Sequence, residues 1–358
     1  MDSKIFEMVY LCIRAEKMNK VLVTGSAGFI GGYVVAELLA NGFQVVGLDN
    51  FSKYGGVTRS FDQDKNYEFI KGDARDPETV YKALENCDHL IAGAAMIGGI
   101  SYFHTFAYDL LATNERIIAA TCDAALQRFQ EGSLKKVTYL SSSMVFESTT
   151  TWPSKEGDEL KFPPPISSYG FQKLSVEFFA RALWDQFQVP YTILRPFNCV
   201  GIGEQKALTD IEISSGNIKL AMSHVVPDLV KKILKGQKPL RILGDGSQIR
   251  CYTFGGDLAR GIVSSLANPK AINQDFNLST KETTTVLELA KLIWQEVYGS
   301  LDEFSIESEK PFKYDVQKRI PDVAKAQEIL GFQASTSLVG MLREVIPWIK
   351  EAIKNNLI

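Results

Sequence analysis

Tyr169 and Lys173 stand four residues apart in the stretch SSYGFQKLS. On a helix, positions i and i+4 share a face. A lysine ammonium one turn from a phenol favours the phenolate, and so lowers a pKa that ordinarily sits at about 10. Such a tyrosine can take a proton from the hydroxyl of a sugar or alcohol. Lys173 can also hold a ribose. Just upstream, LSSSMVFE (140–147) puts Ser141, Ser142 and Ser143 in a row at the end of an apolar run. A Y-x-x-x-K spacing alone arises often by chance. Its weight here comes from opening the helix that follows this run.

A second constellation lies in TGSAGFIG (24–31), where Gly25, Gly28 and Gly31 follow a β-branched run and open a helical pattern. Gly25 allows a tight turn, Gly28 the close approach of a pyrophosphate, and Gly31 a helix–strand contact. The phosphates then meet the free N–H groups of the helix start. Asp49 ends the next strand, where a carboxylate accepts hydrogen bonds from an adenosine ribose. It also repels a 2′-phosphate, which favours NAD over NADP. Asp73, in KGDARD, ends the third strand and is placed either to contact the adenine or to cap a helix. Phe29, Ile30, Asn50, Ala74 and Ala94 complete the expected cofactor contacts, with Tyr169 and Lys173 at the far end.

The elements that position these groups alternate. Strands are expected at 20–25, 44–50, 67–76, 89–95, 135–143 and 189–198, with helices at 28–42, 77–87, 107–130 and 169–187 between them. That order predicts an α/β fold: a doubly wound parallel sheet of Rossmann type. After Asn198 the pattern becomes irregular. Residues 1–17 read as an N-terminal extension and 18–198 as the dinucleotide domain, with later segments near 248–280 returning to it. Residues 199–247 and 281–358 read as a smaller mixed α/β substrate-binding domain, with a ligand cleft between the two.

Bulk properties narrow the class. The chain has 358 residues, 45% hydrophobic and 23% charged, with a net charge of −3, so no basic excess draws it to nucleic acid. Cys12, Cys87, Cys122, Cys199 and Cys251 are scattered without a C-x-x-C pair, and His89, His104 and His224 are dispersed. This argues for a reducing compartment and against a disulfide framework or a metal site. The apolar run around Met8–Ile13 is too short to span a bilayer, and no cleavage site follows it. A cytoplasmic protein with no membrane partner is expected.

TGSAGFIG, Asp49, the Gly72-Asp73 pair, the serine cluster and YGFQK together resemble the extended short-chain dehydrogenase/reductase superfamily. More narrowly, they resemble its NAD-dependent epimerase/dehydratase members that act on nucleotide sugars. LRPFNCVG (194–201), GDGSQIRCYTFGGDLARGI (244–262) and RIPDVAKAQEILGF (319–332) resemble further stretches of that family, in the family's order. The resemblance implies a catalytic triad of Ser142, Tyr169 and Lys173, with Ser143 assisting. It implies that Asn198 and Arg250 hold the nucleotide diphosphate. It also implies a homodimer formed through the paired helices 107–130 and 169–187. Phe146 departs from the family's usual tyrosine.

The reaction class turns on what surrounds the triad. Dehydratases of this superfamily place Asp-Glu after the triad hydroxyl, and related decarboxylases a glutamate two places after it. Here Ser143 and Met144 hold those places, and neither carries a proton at neutral pH. Epimerisation at C4 needs no further acid or base and is the leading expectation. The alternative rests on AAMIGGISYF (94–103), which resembles a loop of GDP-fucose synthase and GDP-mannose 3,5-epimerase, and on SHVVPDLV (223–230), which resembles the first of these. On that reading Gly98 and Gly99 line the substrate and His224 is an acid. The partner base, a cysteine in those enzymes, is again Met144. A dehydratase or a simple reductase stands further off.

Overall fold

The computed structural model describes residues 19–97, 106–204, 224–311 and 316–356. Gly98 and Gly99, and the extension 1–17, lie outside the described residues.

The strands in chain order are β1 (Lys20–Thr24), β2 (Gln44–Asp49), β3 (Tyr67–Lys71), β4 (His89–Ala92), β5 (Lys136–Leu140), β6 (Tyr191–Pro196), β7 (Cys199–Val200), β8 (Leu240–Leu243), β9 (Ile249–Arg250), β10 (Thr253–Phe254), β11 (Gln274–Leu278), β12 (Thr284–Thr285) and β13 (Ile306–Glu309). Seven of them form one sheet in the order β11-β6-β5-β4-β1-β2-β3. All its pairs are parallel. The central strands are buried along almost their whole length, which suits a sheet covered on both faces.

The helices are α1 (Phe29–Ala40), α2 (Pro77–Ala83), α3 (Ala107–Gln130), α4 (Ser168–Phe187), α5 (Val225–Leu234), α6 (Gly255–Ala267), α7 (Val286–Tyr298), α8 (Ala324–Leu330) and α9 (Leu338–Lys354). On one face of the sheet, Val34 and Leu38 of α1 pack with Leu258 and Ile262 of α6. On the other, Val80 of α2, Ile118 and Cys122 of α3, and Val176 and Ala180 of α4 cover the strands. A separate core joins Leu229 of α5, Ile242 of β8, Ile293 of α7 and Val345 of α9.

Local chemistry fixes the helix starts. Asp76 caps α2 by accepting the N–H groups of Glu78 and Thr79, with Pro77 at the first helical position. Thr285 and Glu288 form a reciprocal capping box at α7. The fifth strand departs from expectation. It stops at Leu140, and Ser143–Phe146 form a 3₁₀ turn capped by the Ser142 hydroxyl. The serines are therefore a turn leaving the sheet, and their side chains diverge.

Candidate active site

A cleft of about 630 Å³ runs past the carboxyl ends of β1, β2, β4, β5 and β6 and on to the core around α5. Ligands of doubly wound sheets bind at this edge. Its first end is built by the glycine turn. Gly25 has a φ of +77°, and a Cβ there would lie 2.9 Å from Ala94 Cα. A Cβ on Gly31 would sit 2.0 Å from the Gly25 carbonyl oxygen, so no side chain fits between helix and turn. Gly28 is the N-cap of α1 and supplies no side-chain cap. The first N–H groups of α1 therefore remain for a ligand, and Phe29, Ile30 and Gly31 line the cleft beside them. These features fit a dinucleotide pyrophosphate.

Asp49 fastens the same turn. Its Oδ2 accepts the Ala27 N–H at 3.1 Å and its Oδ1 the Phe51 N–H at 2.8 Å. Burial raises its pKa against these hydrogen bonds. With the Asn50 N–H these make three backbone donors on a carboxylate that can accept about four, which leaves room for a ribose hydroxyl. From outside, Arg59 donates to the carbonyls of Ala27 and Gly28 at 3.0 and 3.3 Å. Asp73 lines the cleft with Asn50 and Ala74. It holds Arg75 through a guanidinium contact of 2.6 Å, while the helix cap next to it is Asp76.

The middle of the cleft carries Ser142, Ser143, Met144, Tyr169 and Lys173. Ser167 starts α4 by accepting the Gly170 N–H at 3.0 Å, and Glu147 holds Ser167 through its hydroxyl at 2.6 Å. Glu147 is thus spent on positioning the helix. Gly170 is required by packing, because a Cβ there would lie 2.6 Å from Pro165 Cβ and 2.7 Å from the Glu147 carboxylate. This geometry brings Tyr169 beside Ser142, whose hydroxyl favours the phenolate. Ser142 also accepts the Met144 N–H at 3.2 Å.

The electrostatics differ from those inferred from spacing. Burial raises the Tyr169 pKa, and the influences that lower it come from Ser142 and the charge of Arg319. Lys173 instead donates to the Leu140 carbonyl at 2.9 Å, and burial pushes its pKa down to about 8. A buried ammonium takes the nearest carbonyl, here the last of β5. Around the Tyr169 ring pack Phe106, Leu110 and Met144, with Met96, Ile97 and Val316 at the edge. None of these six can carry a proton.

The far wall combines strand ends with α5. Asn198, at a φ of +35°, donates its amide to the Cys251 carbonyl at 3.1 Å. Arg250, 8% exposed, donates to the Ile249 carbonyl at 2.9 Å and lines the cleft. Arg319 joins the same wall, and its backbone N–H reaches the Ile249 carbonyl at 3.1 Å. His224 stands at the start of α5 with Nδ1 2.5 Å from Glu204 Oε1. It too faces the cleft. Arg319 and Glu204 went unassigned in the sequence. Arg319 heads the RIPDVAKA stretch and was legible there. Glu204 carries no motif.

Beneath the site lies a buried charge cluster. Arg195, at the end of β6, is 0% exposed. It pairs with Glu177 at 2.7 Å, Glu159 at 2.9 Å and Asp275 at 2.8 Å. Ser141 donates to Glu177 at 2.7 Å. Glu177 lies one turn beyond Lys173 on α4, so the cluster braces the helix that carries Tyr169.

Residues 21–279 match the NAD dependent epimerase/dehydratase family. The chain belongs to that family. NAD is its cofactor, and the glycine turn, the uncapped start of α1 and Asp49 fit that group. An uncharacterized UDP-glucose epimerase of Bacillus subtilis is 27% identical over 341 residues, which are 91% of this chain and 96% of that one. A UDP-N-acetyl-alpha-D-glucosaminuronate decarboxylase of Bacillus cytotoxicus is 26% identical over 340 residues, covering 93% of this chain and 98% of the other. Among solved structures, a UDP-glucuronic acid 4-epimerase from Bacillus cereus, in complex with UDP-glucuronic acid and NAD, superposes with a TM-score of 0.76. It is 26% identical and the match covers 93% of this chain and 99% of that chain. The expected doubly wound fold, family and cofactor are met by these likenesses.

Proposed function

We propose that this protein is a nucleotide-sugar 4-epimerase. The observation that carries the reading is the pairing of Ser142 with Tyr169 inside a wall that is otherwise apolar. Tyr169 takes the proton of the sugar C4 hydroxyl, which Ser142 orients, and later returns it. NAD, when bound, accepts the C4 hydride and gives it back. Lys173 sits one turn away, placed to hold a ribose. Arg250 and Arg319 keep the diphosphate anchored while the 4-keto sugar turns over. A guanidinium fork suits phosphate oxygens. Ser143, Asn198, Gly98 and Gly99 are proposed to complete the substrate contacts, and Asn50, Asp73, Ala74 and Ala94 those to the cofactor.

Two of the relatives above act in different ways, an epimerase and a decarboxylase. Met144 separates these outcomes, since it offers no carboxylate beside the triad. A second reading draws on His224, held by Glu204 at the cleft wall. Proton transfer at C3 and C5 of a GDP-sugar would use such an acid, but the opposing base is missing where Met144 stands. Incubation with UDP-, GDP-, CDP- and dTDP-sugars in deuterated water decides between them. C4 epimerisation inverts the sugar with no deuterium uptake from solvent. Uptake at C3 or C5 would replace it with the second reading.

The paired helices α3 and α4 support a homodimer. Tyr108 on α3 and Phe171 and Phe178 on α4 are exposed, and the last two lie seven residues apart on one helical face. A second copy of the chain would bury them. Light scattering at micromolar concentration should give twice the 39.8 kDa chain mass, and a monomer would refute the assembly. No helix among the described residues is long and apolar enough to cross a membrane. Cys87, Cys122, Cys199 and Cys251 are unbridged, which supports a reducing compartment such as the cytoplasm. Activity retained in strongly oxidising buffer would remove that support.

A further inference from the structure

Arg59 stands in the loop after β2 and does not line the cleft, yet it holds backbone at both ends of it. Its Nη2 donates to the carbonyls of Ala27 and Gly28 at 3.0 and 3.3 Å. A trans peptide points its N–H away from its carbonyl. Fixing the Gly28 carbonyl from behind therefore aims the Phe29 N–H out of the start of α1, where the dinucleotide pyrophosphate fits. The other amino group, Nη1, packs on Gly203, where a Cβ would lie only 2.8 Å from it. Tyr33 of α1 seats the same segment by accepting the Ile202 N–H at 2.9 Å. The next residue, Glu204, holds His224 of the far wall. One planar fork thus rests on the cofactor turn and on the segment that carries the substrate wall. It forms no ion pair among the described residues. Asp62, the acid close by, is bonded to the Arg59 backbone N–H at 2.8 Å. A half-buried cation behind the phosphate site has no contact anion.

We propose that Arg59 is a positioning residue that couples the two ends of the cleft, so that bound dinucleotide tightens the binding of the nucleoside diphosphate. The inference rests on the nucleotide-sugar reading above. A pyrophosphate at the start of α1 supplies the negative charge the guanidinium lacks and draws it onto the turn. The same rigid group then braces Gly203, and with it Glu204 and His224. Such coupling is reciprocal: a nucleoside diphosphate on the far wall holds the dinucleotide in place. Lysine would keep the charge but not the fork.

Arg59→Lys therefore separates charge from geometry. The rate at which bound NADH leaves is followed by its fluorescence, with and without a saturating nucleoside diphosphate (whichever of UDP, GDP, CDP and dTDP the wild type binds). In the wild type the nucleotide should slow release about tenfold, inside the usual range of couplings between sites. In Arg59→Lys, release without nucleotide should stay within about twofold of wild type, and the nucleotide should slow it by less than about twofold. Arg59→Met, which also removes the charge, should release NADH about tenfold faster in both conditions. A wild-type rate indifferent to nucleotide would overturn the proposal, as would full slowing in Arg59→Lys. General loosening of the fold would raise both rates alike and preserve their ratio, and that result counts against it too. If the wild type binds none of the four nucleoside diphosphates, the nucleotide-sugar reading itself fails, and this inference with it.

Discussion

Tyr169→Phe is expected to lower kcat about 10³-fold, within the range that a positioned acid–base group contributes. The ring would stay packed on Phe106, Leu110 and Met144, so the core loses nothing. Ser142 would lose the phenol but still accept the Met144 N–H. The variant should therefore fold, unfold near the wild-type temperature and bind NAD with unchanged affinity. An effect confined to turnover would place the proton transfer on this phenol. Unchanged kcat in a folded, NAD-loaded variant would remove Tyr169 from the mechanism and leave the Ser142 pairing a structural contact.

Arg195→Met carries the largest expected effect on stability. The guanidinium meets Glu177, Glu159 and Asp275 within 2.9 Å, and both it and the two glutamates are fully buried. Burial alone would depress the arginine's pKa, but these carboxylates raise it. Removing the cation leaves acids buried without their main counter-charge. Breaking a buried pair from one side costs about 3–5 kcal/mol. That is a large share of the 5–15 kcal/mol typical of folded domains. Urea denaturation followed by fluorescence should show the midpoint fall by the corresponding amount. Combining Arg195→Met with Glu177→Gln should recover part of the loss, because the two sites share one network. A midpoint within error of wild type would mean that solvent reaches the cluster.

The sequence and the structure agree most closely where information is local. The glycine turn, the β-α alternation and the Tyr169–Lys173 spacing each span fewer than ten residues or repeat a regular period, and the helices at 107–130 and 168–187 appear almost where expected. What escaped the sequence depends on residues far apart in the chain. Arg195 was quoted as part of a family stretch, but its partners at 159, 177 and 275 share no spacing that a pattern can register. The His224–Glu204 pair and the convergence of Arg250 with Arg319 are likewise products of folding. The three serines illustrate a subtler limit. As a string they are equivalent, yet the turn after Leu140 sends Ser141 to Glu177 and Ser142 to Tyr169. Lys173 shows the converse: its spacing places it one helical turn from Tyr169, but a helix face specifies neighbours and leaves open which carbonyl an ammonium will choose, here that of Leu140.

Strand β11 ties the beginning of the chain to its later half. It forms the sheet's outer edge next to β6, and Asp275 on it supplies one carboxylate to Arg195. During synthesis, β6 therefore emerges from the ribosome as an open edge, with Arg195 one carboxylate short, until Gln274–Leu278 have followed. The seven-stranded sheet is complete only after Asn198, His224 and Arg250 of the far cleft wall have been made.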